Sequence, residues 1–233
     1  MLGLGNSISA SQFVDGGASF TDPTSLSGLQ IWLKNDTGIT TAASATATDG
    51  DLVYGWADAS GNENDASASS QRFEFDAASG GIYSDPGLGN SILNVPQLTL
   101  GDFSIFMRVQ FSSISSGATD MFVLDQDNSV NFFRIQNTTQ IKAKLNTASA
   151  TTWTTSTIST GTYYTLHATR TSDQTSVYIN GVLQDSAKTT STNNLLVDRI
   201  GSIFNGIIKN FVVYNRALTT AERGDVDTFM AGI

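Results

Sequence analysis

The dipeptide Asn180-Gly181 stands between two apolar runs, Val177-Tyr178-Ile179 and Val182-Leu183. Asn and Gly both accept positive φ, which a two-residue type I′ turn needs at both central positions for its twist to match the flanking strands. An antiparallel hairpin is therefore expected here. The segment from Tyr163 to Leu218 reads around it as strand, hairpin, strand, loop, strand. A second Asn-Gly, Asn205-Gly206, opens the last apolar run, Ile207-Ile208 to Val212-Val213-Tyr214.

The chain upstream has the same grain. Leu29 to Leu33 and Leu52 to Trp56 read as strands, separated by turn chemistry at Asn35-Asp36-Thr37-Gly38 and Asp49-Gly50-Asp51. Ile92 to Leu100 and Phe103 to Phe111 follow, and in the latter Phe103, Ile105, Met107, Val109 and Phe111 alternate with a period of two. Met121 to Leu124, Asn131 to Ile135 and Ile141 to Leu145 continue the pattern. Many short strands with turn signals between them predict an all-β sandwich or barrel. The exception is Thr219 to Met230, which reads as a helix capped by Thr220, with Val226, Phe229 and Met230 on one face.

Residues 1–23 suit neither helix nor strand, yet they carry Leu2, Leu4, Ile8, Phe13 and Phe20. A purely solvated tail has little use for these side chains. The expected organisation is an extended N-terminal arm over 1–23, docking on this or a neighbouring subunit, and one domain over 24–233. The reading implies a homo-oligomer or a particle-bound protein.

Charge narrows the partners. With 12 Lys and Arg against 21 Asp and Glu, the net charge is −9, which argues against nucleic acid or an anionic membrane. Cysteine is absent, which excludes disulfides and thiolate metal sites. The N-terminal stretch has no basic segment followed by an apolar one, so no cleaved signal is expected, and no run is long enough for a membrane-spanning helix. The expected location is therefore a virion assembled in a host cytoplasm, with an extracellular one as the alternative.

Three pieces together resemble the laminin-G-like branch of the concanavalin A-like jelly rolls, domains also found in bacteriophage structural proteins. They are "SGLQIWLKNDTGI" with "VYGWADASGNENDASAS", the central "FSIFMRVQF" with "MFVLDQDN", and the closing "YINGVLQ" hairpin with "FNGIIKNFVVYNRALTTAE". The resemblance implies a two-sheet antiparallel jelly-roll sandwich with a short C-terminal helix. It also implies rim loops of the kind that bind calcium, glycans or protein partners.

Several residues are candidates for chemistry. Asp58, Asn62, Asn64 and Asp65 concentrate side-chain oxygens in one loop, either as calcium ligands or as an Asx-turn network bonded to its own backbone. Asp125 and Asp127 are spaced i, i+2, but the Glu-x-Asp-x-Glu pattern of the glucanases that share this fold is missing. Retaining glycosidases also need two carboxyls ~5–5.5 Å apart. His167, the only histidine, has no second His and no Cys to form a zinc site, and reads as structural. Trp32 and Trp56 read as core. Trp153, flanked by threonines, is a candidate platform for a sugar ring, with insertion into the sandwich as the alternative.

The expectation is a non-enzymatic virion structural protein, a capsid decoration, head-fibre or tail component, contacting other subunits through the arm and surface glycans through the domain. A carbohydrate-binding adhesin is the alternative, ahead of a glycoside hydrolase.

Overall fold

Asn180 and Gly181 have φ of 50° and 75°, so the type I′ expectation holds. The asparagine does more than turn the chain. Its N–H donates to Thr165 O (2.8 Å), and its Oδ1 accepts from Thr165 N (2.8 Å), so a side chain supplies one further rung of the ladder.

A computed structural model describes residues 19–68, 73–84, 91–114, 120–124, 131–146, 149–201 and 204–233. Leu2, Leu4, Ile8 and Phe13 of the expected arm, with Asp125 and Asp127, lie outside the described residues. In chain order the strands are β1 (Leu29–Leu33), β2 (Ile39–Thr40), β3 (Gly55–Trp56), β4 (Ala66–Ser67), β5 (Glu74–Asp76), β6 (Gly81–Ser84), β7 (Ile92–Leu100) and β8 (Phe103–Phe111). They continue with β9 (Asp120–Leu124), β10 (Phe132–Asn137), β11 (Gln140–Lys144), β12 (Thr151–Thr154), β13 (Tyr163–Thr171), β14 (Gln174–Ile179), β15 (Val182–Thr189), β16 (Leu195–Gly201) and β17 (Gly206–Tyr214). One helix follows, α1 (Thr220–Ala231).

Among the described residues these strands form two antiparallel sheets. The first runs β15-β14-β13-β8-β17-β6-β5, with β1 also beside β17; the second runs β12-β11-β10-β9-β16-β7-β4-β3-β2. Neighbours distant in sequence, such as β8 between β13 and β17, are the crossovers of a jelly roll. The main core fills the space between the sheets. Ile105, Met107, Val109 and Phe111 enter it from β8, and Phe133, Ile135, Ile141 and Val197 are among the residues opposite. Phe103 meets Phe133 edge-on, ring centroids 5.9 Å apart.

The expected strand over Leu52 to Trp56 is shorter, and the reason is a change of sheet. Leu52 bridges Glu74 of the first sheet, whereas Tyr54 N donates to Thr40 O in the second, so only Gly55–Trp56 pairs as a strand. Asn205-Gly206 opens the last strand, as expected. Gly206 starts β17 at φ 148°, where a Cβ would collide with the Gln110 carbonyl of β8. Its lack of a side chain allows the two backbones to approach.

A second apolar layer lies on the outside of the first sheet. Helix α1 seals it by pressing Val226 and Met230 onto Trp32, Phe106, Val212 and Tyr214. The helix cap is Thr219, not Thr220. Thr219 has extended backbone and accepts from Glu222 N, while Glu222 Oε2 accepts from Thr219 N, completing a capping box. Phe20 belongs to this layer as well, edge-on to Phe229 at 6.2 Å, and Pro23 O accepts from the buried Tyr214 hydroxyl at 3.0 Å. Phe20 therefore packs on its own chain, and the packed domain begins ahead of the expected boundary at residue 24.

Candidate functional site

Each face of β8, β13 and β14 has a separate use. Leu166, Ala168 and Val177 point into the sandwich, and the alternate residues rise from its outer surface towards α1. Phe106, His167 and Tyr178 are direct register partners across the three strands. Their rings stack, with His167 4.0 Å from Phe106 and 4.6 Å from Tyr178, and Arg223 of the helix lies 5.1 Å above Tyr178.

Beside this stack opens a cleft of about 680 Å³. Its floor includes Arg108, Tyr163, Thr165 and Tyr178, and one end is the tip of the Asn180-Gly181 hairpin. The far wall is a single stripe of α1: Thr220, Arg223, Gly224, Asp227, Thr228 and Ala231. These positions recur at i, i+3, i+4 and i+7, so they share one helix face, and most are small. Small side chains there leave the space open.

The polar groups are unusually under-bonded. Arg108 Nε, Asp227 Oδ1 and both ring nitrogens of His167 are buried without a hydrogen-bond partner. Most buried polar atoms have at least one partner, so a cluster of exceptions marks a place to look for function. Arg108 and Asp227 line the cleft, and His167 lies behind Asp227, Nδ1 to Oδ2 3.6 Å. Burial lowers the His167 imidazole below its ordinary value and so keeps it neutral, against the opposing pull of the Asp227 carboxylate. Arg108 is also lowered by burial but stays cationic, because a guanidinium starts so high. Among the described residues it makes a long 3.4 Å approach to Thr165 Oγ1 and lies 5.6 Å from the Tyr163 ring. Lys209 lies 5.2 Å from the same ring. The cleft can therefore offer a cation, a carboxylate, donors and acceptors, and two aromatic rings.

Of the described residues singled out in the sequence, His167 borders this cleft and the others lie elsewhere, with two corrections. Trp153 is 0% exposed, in the main core. Its register partner is Ile141, so β12 turns the tryptophan inward and its threonines outward, leaving no ring face for a sugar. The expected calcium loop is a hydrogen-bond network. Asp58 Oδ1 accepts from Trp32 N and Ser60 N, both at 2.8 Å, and Oδ2 from Ser60 Oγ (2.6 Å) and Asn64 N (3.1 Å). Asp65 Oδ1 accepts from Asp58 N (2.7 Å). Asn62 and Asn64 turn their amide nitrogens, not their oxygens, to Leu29 O and Gln30 O (2.9 and 2.8 Å). Hydrogen-bond donors surround the carboxylates, and no acidic or histidine group suited to a metal occurs among the described residues. The Asx-turn alternative describes this loop. Trp32 and Trp56 are buried, as expected.

Sequence reasoning missed Arg108, Tyr163, Asp227 and the helix stripe. The signal was present in Thr220, Arg223-Gly224, Asp227-Thr228 and Ala231, a second periodic face of the helix beside the apolar one. Alternation along β8 also placed Arg108 opposite the core face.

Comparison with known proteins fits this architecture. A sequence model of the concanavalin A-like lectin/glucanases superfamily matches residues 87–222, more than half of the chain. The chain belongs to that superfamily. Similar solved structures include a Trypanosoma rangeli sialidase, with a TM-score of 0.58 and 16% identity over 89% of this chain. The match takes up 33% of the sialidase chain, so this superfamily member spans about a third of it. Domain 4 of AbnA, an extracellular arabinanase from Geobacillus stearothermophilus solved with arabinotriose, matches at a TM-score of 0.56 and 17% identity, over 85% of this chain and 98% of that one. The binding domain of botulinum neurotoxin DC, in complex with SialylT, matches at 0.59 and 13% identity, over 87% and 51%. At such identities the likeness is one of fold. No match is found among curated proteins.

Proposed function

We propose that the chain is a non-enzymatic glycan-binding module that takes a saccharide into the cleft between α1 and the first sheet. The observation that carries the reading is the under-bonded floor: buried Arg108 and Asp227 atoms without protein partners, beside the Tyr163 and Tyr178 rings. Sugars bring hydroxyls for the polar side chains of the lining and C–H faces for its aromatic rings. The cleft volume lies within the roughly 300–1,000 Å³ of small-molecule sites. Two structural neighbours were solved with saccharides, arabinotriose and SialylT, which supports the ligand class. Against hydrolysis by a carboxylate pair, Asp227 is the one carboxylate among the described lining residues.

Gly224→Trp tests this. Gly224 lines the cleft on an exposed helix position where a Cβ meets nothing within 4 Å, so a large ring can enter the cleft without disturbing the core. Calorimetric titration against an oligosaccharide panel should show binding by the parent and loss of it in the variant, with the melting temperature kept. A variant that binds as the parent does would place the site elsewhere, and sustained release of reducing ends by the parent would reject the non-enzymatic reading.

We place the module in a virion as a decoration, head-fibre or tail component. Support comes from the sequence, where Leu2, Leu4, Ile8 and Phe13 form an apolar stretch ahead of the packed domain. Deleting residues 1–18 should leave the melting temperature nearly unchanged and abolish incorporation into particles. Normal assembly of the truncated protein would favour the adhesin alternative.

A further inference from the structure

We propose that the saccharide carries a carboxylate, captured by Arg108; this rests on the glycan-binding reading of the cleft. Charges of both signs surround Tyr163: Asp76 acts on it and, with Asp36, on Lys209, whereas Arg108 beside it has no carboxylate among the described ion pairs. Arg108 and Lys209 both lie within 6 Å of its ring, at 5.6 and 5.2 Å, and Arg223 stands across the cleft. Asp227 is the opposing charge in the lining, and it faces His167 at 3.6 Å on the helix side. None of the described ion pairs involves Arg108.

That is an unusual position for an arginine. Its Nε is buried and unbonded, and among the described residues its one hydrogen bond is long. A planar guanidinium in a half-buried setting, with donors left over, matches the two oxygens of a carboxylate. A neutral sugar can use the same donors, but without charge assistance. Tyr163 and Arg108 line the cleft side by side, so a sugar that meets the tyrosine brings its carboxylate to the guanidinium. The chemistry selects uronic or sialic acid-type residues over neutral hexoses.

The test uses the full chain and matched probes: trigalacturonate, its methyl ester, galactotriose, sialyllactose and lactose. The expected result is that each acidic probe binds at least about tenfold more tightly than its neutral counterpart, the increment of a charge-assisted hydrogen-bonded pair. The ester removes the charge from the ligand and so reads the interaction on the unaltered protein. Arg108→Gln, which keeps an amide donor but removes the charge, should weaken the acidic probes more than the neutral ones and bring the acidic-to-neutral ratio to within about threefold of unity. Equal binding of acidic and neutral probes overturns the proposal and leaves the glycan-binding reading standing. A preference for acidic probes that survives Arg108→Gln overturns the role of Arg108. Absence of binding by every probe overturns both.

Discussion

Replacing Asn180 with alanine removes two things the structure separates. The first is tolerance of φ 50°, a left-handed conformation that costs a Cβ-bearing residue about 1–2 kcal/mol. The second is the acceptor for Thr165 N, a donor on a residue only 1% exposed. A buried N–H left without a partner costs about 1–3 kcal/mol. The alanine variant should therefore lose about 2–4 kcal/mol, since the two effects overlap at one site. Asn180→Gly keeps the backbone freedom and loses the acceptor alone, so it should lose about 1–3 kcal/mol. Asn180→Asp keeps both and should lose least. Urea denaturation gives the free energies directly, and each kcal/mol should lower the melting temperature by about 2–4 °C in a domain of this size. The decisive outcome is the order aspartate, glycine, alanine. If the alanine variant melts within a degree of the parent, the asparagine is not a rung of the sheet. If glycine and alanine variants melt together, the backbone strain has been overestimated.

Gly206→Ala should be among the most damaging single substitutions, because its Cβ would meet backbone of β8 that cannot step aside; a loss above about 3 kcal/mol is expected, and a normally stable variant would refute the close approach. Arg216 holds the Glu222 carboxyl at about 2, below its ordinary 4.5, so the pair contributes stability above the ordinary value that is lost as pH falls towards 2. Both side chains keep solvent contact, 30% and 24% exposed, and screening limits the effect to about 0.5–1 kcal/mol; Glu222→Gln should flatten the melting temperature between these pH values, and an unchanged acid limb would reject it. Asp58→Ala should destabilise the chain by about 2–4 kcal/mol through four lost hydrogen bonds, while excess calcium or chelator leaves the parent melting curve where it was; a calcium-dependent rise would reopen the metal reading.

Local patterns in the sequence carried the sandwich well. The hairpin at Asn180-Gly181 and the alternation through Ile105, Met107 and Val109 depend on neighbours along the chain, and both are where the residues put them. What lay hidden depends on partners far away. Phe106 alternates onto what should be a solvent face, yet it is buried because α1 arrives from more than a hundred residues later. Asp58 looks like a free ligand until Trp32 N, 26 residues back, is found bonded to it. Trp153 among threonines has no local cue for its direction; its pairing with Ile141 decides it. The cleft was hardest to see, since it arises between a strand surface and a helix face that are each unremarkable alone.

The outer layer also orders events during synthesis. Its helix follows β17, and the first sheet is complete once Tyr214 is in place. Until the last turn of α1 is made, Trp32, Phe106 and Val212 stand uncovered on a finished sheet, and Phe20 and Leu26 must wait for Phe229 and Met230. The long loop is closed when β1 pairs with β17, and the helix then needs only the short link from Tyr214 to reach its seat. The sheet therefore makes an apolar face before its cover, and the cleft, walled by that helix, exists only once the helix has docked.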